Sequence, residues 1–348
     1  MLNSRGTSAE PLGDDAATLV VRLEGPNGVR LFGELDVASV GEVWARLDGG
    51  DGDVELDCAG LTFIDAAGLR LFVAVQAACQ DRGAKLSIVS PSRCVVRLLG
   101  LTGLDARNAA STVALVDAST VRSNGDGTSR LVAPTLAAAY GVCPSERFRN
   151  QPIAAFCSGF LVKNNIVVTA GHCINNYPFT LANTRFVFGY RLLASGQVQN
   201  RIPNSAIYRG VQVLADREAA ADFAVVRLDR NVSPQVPLPI QRSGAVAVNT
   251  PLYVIGYPSG LPAKVATAAH VIARNADFFR ANLDTYGGNS GSPVFNATND
   301  KVVGVLVRGA DDYVQRGSCY VSSILPNSTG REESTRTTRI APFVPTGG

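Results

Sequence analysis

The 348-residue sequence is poor in several features, and each shortage argues against a class of protein. No uninterrupted apolar stretch reaches the ~18 residues that a membrane-spanning helix needs, so an integral membrane protein is not expected. The chain has only 2 His and its 7 Cys are not clustered, which predicts neither a metal site nor a cofactor. The first 15 residues lack the basic-then-apolar pattern of a secretory signal, so the sequence predicts a cytoplasmic protein.

Charged residues are few and unevenly distributed. They make up 18% of the chain, against 46% hydrophobic residues, so a folded protein with a sizeable core is expected. Residues 1–120 hold 10 Lys and Arg against 16 Asp and Glu, a net charge of −6, whereas residues 121–348 hold 22 against 13, a net charge of +9. The Arg residues of the basic half are scattered without a basic block, which argues against nucleic-acid binding. The break near residue 120, in a chain long enough for about two domains, predicts two units of different origin.

The first part of the chain alternates predicted strands and helices. After a polar tail over residues 1–15, apolar periodicity predicts strands at 18–23, 29–32, 53–56 and 85–89, and helices at 38–47, 69–79 and 94–99. The first two strands are separated by Pro26-Asn27-Gly28, which is typical of a hairpin turn. This order predicts a small α/β sandwich over residues 16–115.

The second part has a different pattern. Residues 116–135 are rich in Ser, Thr and Gly, a composition typical of a linker. From about residue 136, short β-rich runs separated by turn residues replace the helical patterns, at 154–162, 166–169, 185–190, 223–228, 252–257 and 302–307. Many short strands predict a barrel or sandwich over residues 136–330. Residues 331–348 are predicted to form a second polar tail.

Three residues of the second part have the order and surroundings of a nucleophilic site. His172 ends one predicted strand, Asp222 opens another, and Ser290 lies in a Gly-Asn-Ser-Gly turn. A Ser hydroxyl barely ionises near neutral pH, so it needs an adjacent base, and that base needs a buried carboxylate to fix its tautomer. The backbone N–H groups of Gly288 and Ser290 are predicted to bind the developing oxyanion. The other histidine, His270, is predicted to be a strand residue without a catalytic role.

The motifs around these residues resemble those of the trypsin/chymotrypsin family, and more narrowly its bacterial glutamyl-endopeptidase-like branch. In chain order the matching motifs are Phe156-Cys157-Ser158-Gly159-Phe160, Thr169-Ala170-Gly171-His172-Cys173, Asp222-Phe223-Ala224-Val225, Gly256-Tyr257-Pro258 and Gly288-Asn289-Ser290-Gly291-Ser292-Pro293-Val294-Phe295. The resemblance covers about residues 143–330. It implies two packed antiparallel β-barrels with a Ser-His-Asp triad between them, and hydrolysis of protein or peptide substrates through an acyl-enzyme.

A few positions modify what the resemblance implies. Asn289 precedes the nucleophile, where digestive relatives have an Asp that pairs with a newly cut N-terminus, so the domain is expected to fold active without processing. Leu306 stands near the place where glutamyl-specific relatives carry a His, in a stretch that continues to Arg308 and Gly309, so strict Glu specificity is not expected. Asp284 lies where trypsin-like relatives keep the acid that binds Arg or Lys. It either favours a cationic substrate side chain or caps a turn.

The resemblance also bears on the cysteines. Cys157 and Cys173 match a pair that forms a disulfide beside the catalytic His in relatives. Cys143 and Cys319 then remain as candidates for a second pair, although connectivity cannot be read from sequence. A disulfide-ready domain conflicts with the reducing cytosol expected above. Either the thiols stay reduced, or the barrel was recruited from a secreted ancestor. The remaining cysteines are predicted to be inert core residues: Cys58, Cys79 and Cys94.

Residues 16–115 resemble the STAS domain of anti-sigma-factor antagonists. The matching motifs are Gly33-Glu34-Leu35-Asp36, Leu61-Thr62-Phe63-Ile64-Asp65-Ala66-Ala67-Gly68-Leu69 and Leu98-Leu99-Gly100-Leu101-Thr102-Gly103-Leu104. In that family a Ser shortly after the Asp65 position is phosphorylated, which switches partner binding. Here both candidate places hold Ala, at Ala66 and Ala67, so any partner is expected to bind without that control. A docking or dimerisation module is an equally weighted alternative.

Three hypotheses follow for the whole chain. The first is a serine endopeptidase joined to a STAS interaction domain, and retention of all three triad residues favours it. The second is a regulatory adaptor whose barrels only bind peptides. The third is an anti-sigma-factor antagonist with a passenger domain.

Overall fold

In the computed structural model the chain divides into two compact units, residues 1–103 and residues 104–348. The structure describes residues 19–24, 28–47, 52–89, 92, 95, 104–175, 179–193, 197–217, 221–326 and 331–345. Within these ranges, no helix combines the length and the hydrophobicity that crossing a membrane requires. The predicted helix at 94–99, apart from residue 95, and most of the predicted turn at 26–28 lie outside the described residues.

The first unit is built on a four-stranded sheet. Its strands, in sheet order, are β1 (Val20–Glu24), β2 (Gly28–Leu35), β3 (Val54–Ile64) and β4 (Leu86–Val89). The first pair is antiparallel and the other two pairs are parallel. Parallel neighbours need crossover connections, which α1 (Val40–Leu47) and α2 (Ala66–Asp81) provide. The predicted small α/β architecture is confirmed.

The core of this unit follows from the alternation of side chains along the strands and from the three- to four-residue spacing of side chains on one helix face. Alternate residues of β2 are buried, including Val29 and Leu31, as expected for a strand with one face against the core. On α2, Phe72, Val75 and Cys79 are spaced by three or four residues and are at most 3% exposed, so they form the face that meets the sheet.

Asp65 caps the start of α2. Its Oδ1 accepts hydrogen bonds from the backbone N–H groups of Ala67 (2.7 Å) and Gly68 (3.1 Å). We expect Asp65→Ala to lower the free energy of unfolding of this unit by about 1 kcal/mol, because the helix loses its N-cap. Urea unfolding followed by the fluorescence of Trp44, the only Trp of the chain, measures this unit alone. Asp65→Asn keeps an acceptor and should lose less. Equal losses in the two variants would contradict the capping role.

The second unit contains two closed six-stranded barrels. The first barrel consists of β5 (Thr112–Asp117), β8 (Ala155–Lys163), β9 (Ile166–Thr169), β11 (Thr184–Phe188), β13 (Ile207–Arg217) and β14 (Phe223–Leu228). It closes in the order β11-β13-β14-β9-β8-β5 through antiparallel pairs.

The second barrel consists of β15 (Pro251–Gly256), β16 (Lys264–Arg274), β17 (Phe278–Ala281), β18 (Pro293–Asn296), β19 (Val302–Arg308) and β22 (Glu332–Arg336). It closes in the order β15-β16-β17-β22-β19-β18. The predicted all-β double barrel is thus confirmed for this unit. Aromatic residues fill the interior, since Phe279 and Phe295 are fully buried.

Smaller elements complete the second unit. A three-stranded sheet is formed by β6 (Val121–Ser123), β7 (Thr128–Leu131) and β12 (Arg201–Pro203), and a hairpin by β20 (Tyr313–Arg316) and β21 (Cys319–Ser322). The remaining elements are β10 (Phe179–Thr180), α3 (Leu104–Ala110), α4 (Leu136–Tyr140), α5 (His172–Asn175) and α6 (Thr337–Ile340).

The structure corrects the predicted linker over residues 116–135. Its first two residues end β5 in the first barrel, and it also contains β6 and β7. The unit boundary lies after residue 103 rather than near residue 115. The strands were missed because β6 and β7 are short and mostly polar, so backbone pairing defines them rather than apolar periodicity.

The predicted polar tail over residues 331–348 is corrected in the same way. Residues 332–336 form β22, which pairs with both β17 and β19 and so closes the second barrel. Four of its five residues are buried although the sequence is Glu-Glu-Ser-Thr-Arg. A strand of this composition carries no apolar signal, and its burial depends on partners that are distant in sequence.

Candidate active site

His172 is positioned by the end of β9. All four residues of β9 are buried, and the strand pairs with β8 on one side and β14 on the other. Because both edges of β9 are hydrogen-bonded, the point at which the chain leaves the barrel is fixed. His172 then begins α5, with its side chain 33% exposed.

Asp222 lies immediately before β14, in which Ala224 pairs with Thr169 of β9. This register brings the carboxylate to the imidazole of His172, with Oδ2 2.6 Å from Nδ1. Oδ1 accepts hydrogen bonds from the backbone N–H groups of Gly171 (2.7 Å) and His172 (3.2 Å). Three donors thus compensate the burial of an acid that is only 7% exposed. Since a carboxylate accepts, Nδ1 donates, and Nε2 of the neutral ring keeps a free lone pair.

Ser290 lies in a loop that packs directly on the strands leading to His172. The carbonyl oxygen of Ser290 accepts a hydrogen bond from the N–H of Ser158 on β8 (2.8 Å). Gly291 has a φ of +87°, and a Cβ there would lie 2.1 Å from the carbonyl oxygen of Ser158 and 2.3 Å from Oγ1 of Thr169. Only glycine allows this contact. The segments that carry Ser290 and His172 therefore touch.

The backbone before Ser290 presents two available donors. The N–H of Ser259 donates to the carbonyl oxygen of Gly287 (2.5 Å), and Oγ of Ser158 donates to that of Gly288 (2.8 Å). Both carbonyl groups are therefore engaged. Among the described residues, the N–H groups of Gly288 and Ser290 have no hydrogen-bond acceptor. Two backbone donors in one tight turn are what an anionic oxygen needs.

Two disulfides lie around this site. One joins Cys157 on β8 to Cys173 on α5, next to His172. The other joins Cys143 to Cys319 and so ties the segment before β8 to the hairpin β20–β21. In the first unit, Cys58 and Cys79 are buried and belong to neither of these disulfides, and Cys94 lies outside the described residues.

The surroundings of the two histidines offer no metal site among the described residues. Cys157, Cys173 and His172 place three potential ligand atoms within 4.8 Å of one another. Both sulfur atoms belong to the disulfide, so neither is available as a thiolate ligand. The described ranges hold no other such cluster. His270 lies on β16, where its backbone N–H donates to Oδ1 of Asn282 (2.7 Å).

A pocket of about 120 Å3 includes Ser290 in its wall. Its lining comprises Tyr286, Gly287, Ser290, Leu306, Arg308, Gly309, Ala310, Asp312 and Glu332. The lining thus contains the three predicted specificity residues of β19 and the segment after it. Asp284, the acid predicted from the resemblance, is exposed and does not belong to the lining. The acids of the pocket are instead Asp312 and Glu332, which sequence reasoning missed.

Glu332 enters the pocket from β22 and is 8% exposed. Its Oε2 accepts a hydrogen bond from the hydroxyl of Thr285 (2.5 Å), and its Oε1 accepts one from the N–H of Ala310 (3.4 Å). Burial raises the pKa of the Glu332 carboxyl to about 7 despite these two donors, with smaller contributions from Asp312 and Asp284. No sequence signal identified this residue, because it lies in the segment interpreted as a tail.

The two acids next to Glu332 have other partners. Asp312 accepts a hydrogen bond from the N–H of Gly287 (2.6 Å), while burial raises the pKa of its carboxyl. Glu333, next to the pocket acid in sequence, pairs with Arg280 (2.8 Å) and with Arg308 (3.4 Å). The guanidinium of Arg308 therefore already has a carboxylate partner outside the pocket lining.

Comparison with known families assigns both units. Residues 157–305 match the sequence model of the trypsin-like peptidase domain, and residues 20–117 match that of the "Mlab, STAS domain". The first match includes His172, Asp222 and Ser290. The second extends to residue 117, whereas residues 112–117 form β5 of the first barrel. Strand pairing places residues 112–117 in the second unit, and the first unit ends at residue 103.

Individual relatives are distant. A glutamyl endopeptidase of Staphylococcus epidermidis is 28% identical over 176 residues, which is 48% of this chain and 59% of that protein. A secreted RxLR effector protein of Plasmopara viticola is 27% identical over 168 residues, 42% of this chain and 40% of that protein. The crystal structure of a serine endoprotease from Yersinia pestis aligns with a TM-score of 0.41 and 15% identity, over 68% and 62% of the two chains. The chain thus spans about three fifths of the curated endopeptidases that it matches.

Proposed function

We propose that this chain, which carries a STAS domain followed by a trypsin-like peptidase domain, is a serine endopeptidase. The observation that carries the proposal is the 2.6 Å contact between the buried Asp222 carboxylate and Nδ1 of His172. The loop of Ser290 packs against the strand that ends at this histidine. A fixed imidazole beside a serine on a tight turn is the arrangement that acyl transfer needs.

We propose a role for each group on the basis of this geometry. Ser290 attacks the carbonyl carbon of the peptide bond while Nε2 of His172 takes the hydroxyl proton, since Nδ1 is occupied by Asp222. The N–H groups of Gly288 and Ser290 bind the resulting oxyanion. His172 next protonates the leaving amine, which departs from the acyl-enzyme. A water molecule then releases the acyl group by the same sequence of proton transfers.

Fluorophosphonate labelling tests this proposal. Because only an activated serine reacts readily, we expect a single adduct in folded protein, located by mass spectrometry on the peptide that contains Ser290. Ser259 and Ser292, which lie nearby, should stay unlabelled and serve as internal controls. Chemically unfolded protein should not react. If the folded chain does not label, the peptidase proposal fails and the peptide-binding adaptor takes its place.

The STAS domain has a separate proposed role in binding a protein partner. Its α2 begins with two alanines, Ala66 and Ala67, directly after the capping Asp65. A phosphate at this position would require a hydroxyl, which neither alanine provides. We therefore propose that the STAS domain binds its partner without control by phosphorylation at this position.

Phosphopeptide mapping of the protein isolated from cells should find no phosphate on residues 61–70, and a phosphate on Thr62 would contradict this. A cytoplasmic location remains a prediction from the sequence.

A further inference from the structure

We propose that Glu332 determines the specificity of the pocket beside Ser290, so that the chain cleaves after lysine or arginine. This inference rests on the proposed peptidase function and names its substrate class. The pocket shares Ser290 with the catalytic turn, so a side chain that fills it belongs to the residue whose carbonyl is attacked. Its lining therefore selects that residue.

The charge of the lining favours a cation. Asp312 and Glu332 are both acids, and Arg308 is the only basic residue among the residues that line the pocket in the described structure. Arg308 pairs with Glu333, which lies outside the lining. The pocket is therefore left with a negative charge whenever its acids are ionised. A buried negative charge attracts a cationic side chain strongly, because water screens the interaction little.

Glu332 has too few donors for its degree of burial. One hydroxyl, from Thr285, and one distant N–H, from Ala310, are its hydrogen-bond donors in the described structure. An ionised carboxylate has about four acceptor sites, so at least two are unfilled. The ammonium of lysine or the guanidinium of arginine would fill them while neutralising the charge. The raised pKa of this carboxyl is the expected sign of incomplete compensation.

The shape of the pocket agrees with a long cationic side chain. A Cβ at Gly309 would collide with both carboxylate oxygens of Glu332, so the glycine leaves the space in which this carboxylate lies. Leu306, which is 3% exposed, contributes an apolar surface. Lysine and arginine have apolar stems with a charged end, which suits an apolar wall beside a buried acid.

A matched set of peptides tests the inference. The peptides differ only in the residue before the scissile bond, which is Lys, Arg, Leu or Glu. We expect kcat/KM for Lys and Arg to exceed that for Leu by roughly 30-fold or more, the effect of completing a buried charge pair. Glu332→Gln should remove this preference, so that kcat/KM for Lys and Arg falls to the value for Leu measured on the same variant. Asp284→Asn removes the acid that lies outside the lining, and it should keep the preference at pH values where Glu332 is ionised.

The pH dependence gives a second readout that needs no variant. Cleavage after Lys and Leu uses the same His172, so the ratio of the two kcat/KM values cancels its titration. The carboxyl of Glu332 is neutral below its pKa of about 7 and ionised above it, so the ratio should rise with pH through this range. Asp312 and Asp284 raise this pKa through their charge, and Thr285 and Ala310 lower it by donating hydrogen bonds. Arg308 and Tyr286 also line the pocket.

The outcomes separate the two proposals. Labelling of Ser290 together with equal cleavage after Lys and Leu would overturn the role of Glu332 and leave the peptidase proposal standing. A preference for Glu would also overturn the role of Glu332, and it would indicate that Arg308 binds the substrate side chain. If Glu332→Gln retains the preference and its rise with pH, Asp312 rather than Glu332 is responsible. If Glu332→Gln does not fold, the test uses Glu332→Asp and the pH dependence of the wild-type ratio of kcat/KM for Lys to that for Leu. A wild-type ratio that does not change with pH would then overturn the role of Glu332. No labelling at all rejects the peptidase itself.

Discussion

Alanine in place of Ser290 should lower kcat for peptide hydrolysis by about 10⁶-fold, the effect seen when a serine protease loses its nucleophile. The substitution removes only the hydroxyl group of the side chain. The contacts that hold the loop come from the backbone, since the carbonyl oxygen of Ser290 accepts from Ser158 and Gly291 is unchanged. The variant should therefore fold normally. Progress curves with a fluorogenic peptide, beside a thermal melt, measure both quantities.

Ser292→Ala is the matched control for this variant. Ser292 lies in the same loop and is fully buried, and its hydroxyl makes one weak hydrogen bond to Oδ1 of Asn289 (3.4 Å). Loss of one weak hydrogen bond should change kcat by less than about tenfold. If Ser290→Ala keeps more than about 1% of the activity, the hydroxyl of Ser290 is not the nucleophile.

Asp222→Asn should lower kcat by about 10⁴-fold while leaving the fold intact. Asparagine retains one oxygen, which can still accept from the N–H groups of Gly171 and His172. Its amide N–H then faces Nδ1 of His172, which must accept instead of donate. The proton moves to Nε2, and the ring can no longer take the proton of Ser290. The loss should appear in kcat more than in KM, because substrate contacts are untouched.

Asp216→Asn serves as the comparison for this second variant. Asp216 lies on β13 and accepts a hydrogen bond from Asn175 on α5 (3.1 Å), so it is near the site but exposed. Its replacement should alter kcat by less than about threefold, because exposed pairs contribute little. If Asp222→Asn lowers kcat by less than about tenfold, the contact between Asp222 and His172 is structural and does not set the tautomer.

The proposed catalytic residues could be predicted from the sequence because each lies beside a local signal. His172 and Asp222 flank apolar strands, and Ser290 lies among glycines whose backbone conformation the turn requires. Each of these sequence motifs spans only a few residues, so it can be recognised without knowledge of the fold. The strands themselves were found for the same reason, since β9 and β14 match the predicted ranges 166–169 and 223–228.

The residues proposed to determine specificity depend on contacts between distant segments. Glu332 meets Thr285 and Gly309 only because β22 closes the second barrel. In the sequence it belongs to a run of polar residues that ordinary rules assign to a tail. Asp284 has the expected spacing from Ser290 but is exposed, because spacing along a loop does not determine where the loop points. A pocket built from three segments requires the fold before its charge can be predicted.

The disulfide between Cys143 and Cys319 encloses a loop with a sequence separation of 176 residues. His172, Asp222 and Ser290 all lie inside this loop. A single peptide-bond cleavage between the two cysteines therefore leaves both fragments covalently joined. Such a nicked molecule runs as one band on a non-reducing gel and as two bands after reduction. Cleavage within this loop would accordingly go unnoticed on a gel until the sample is reduced.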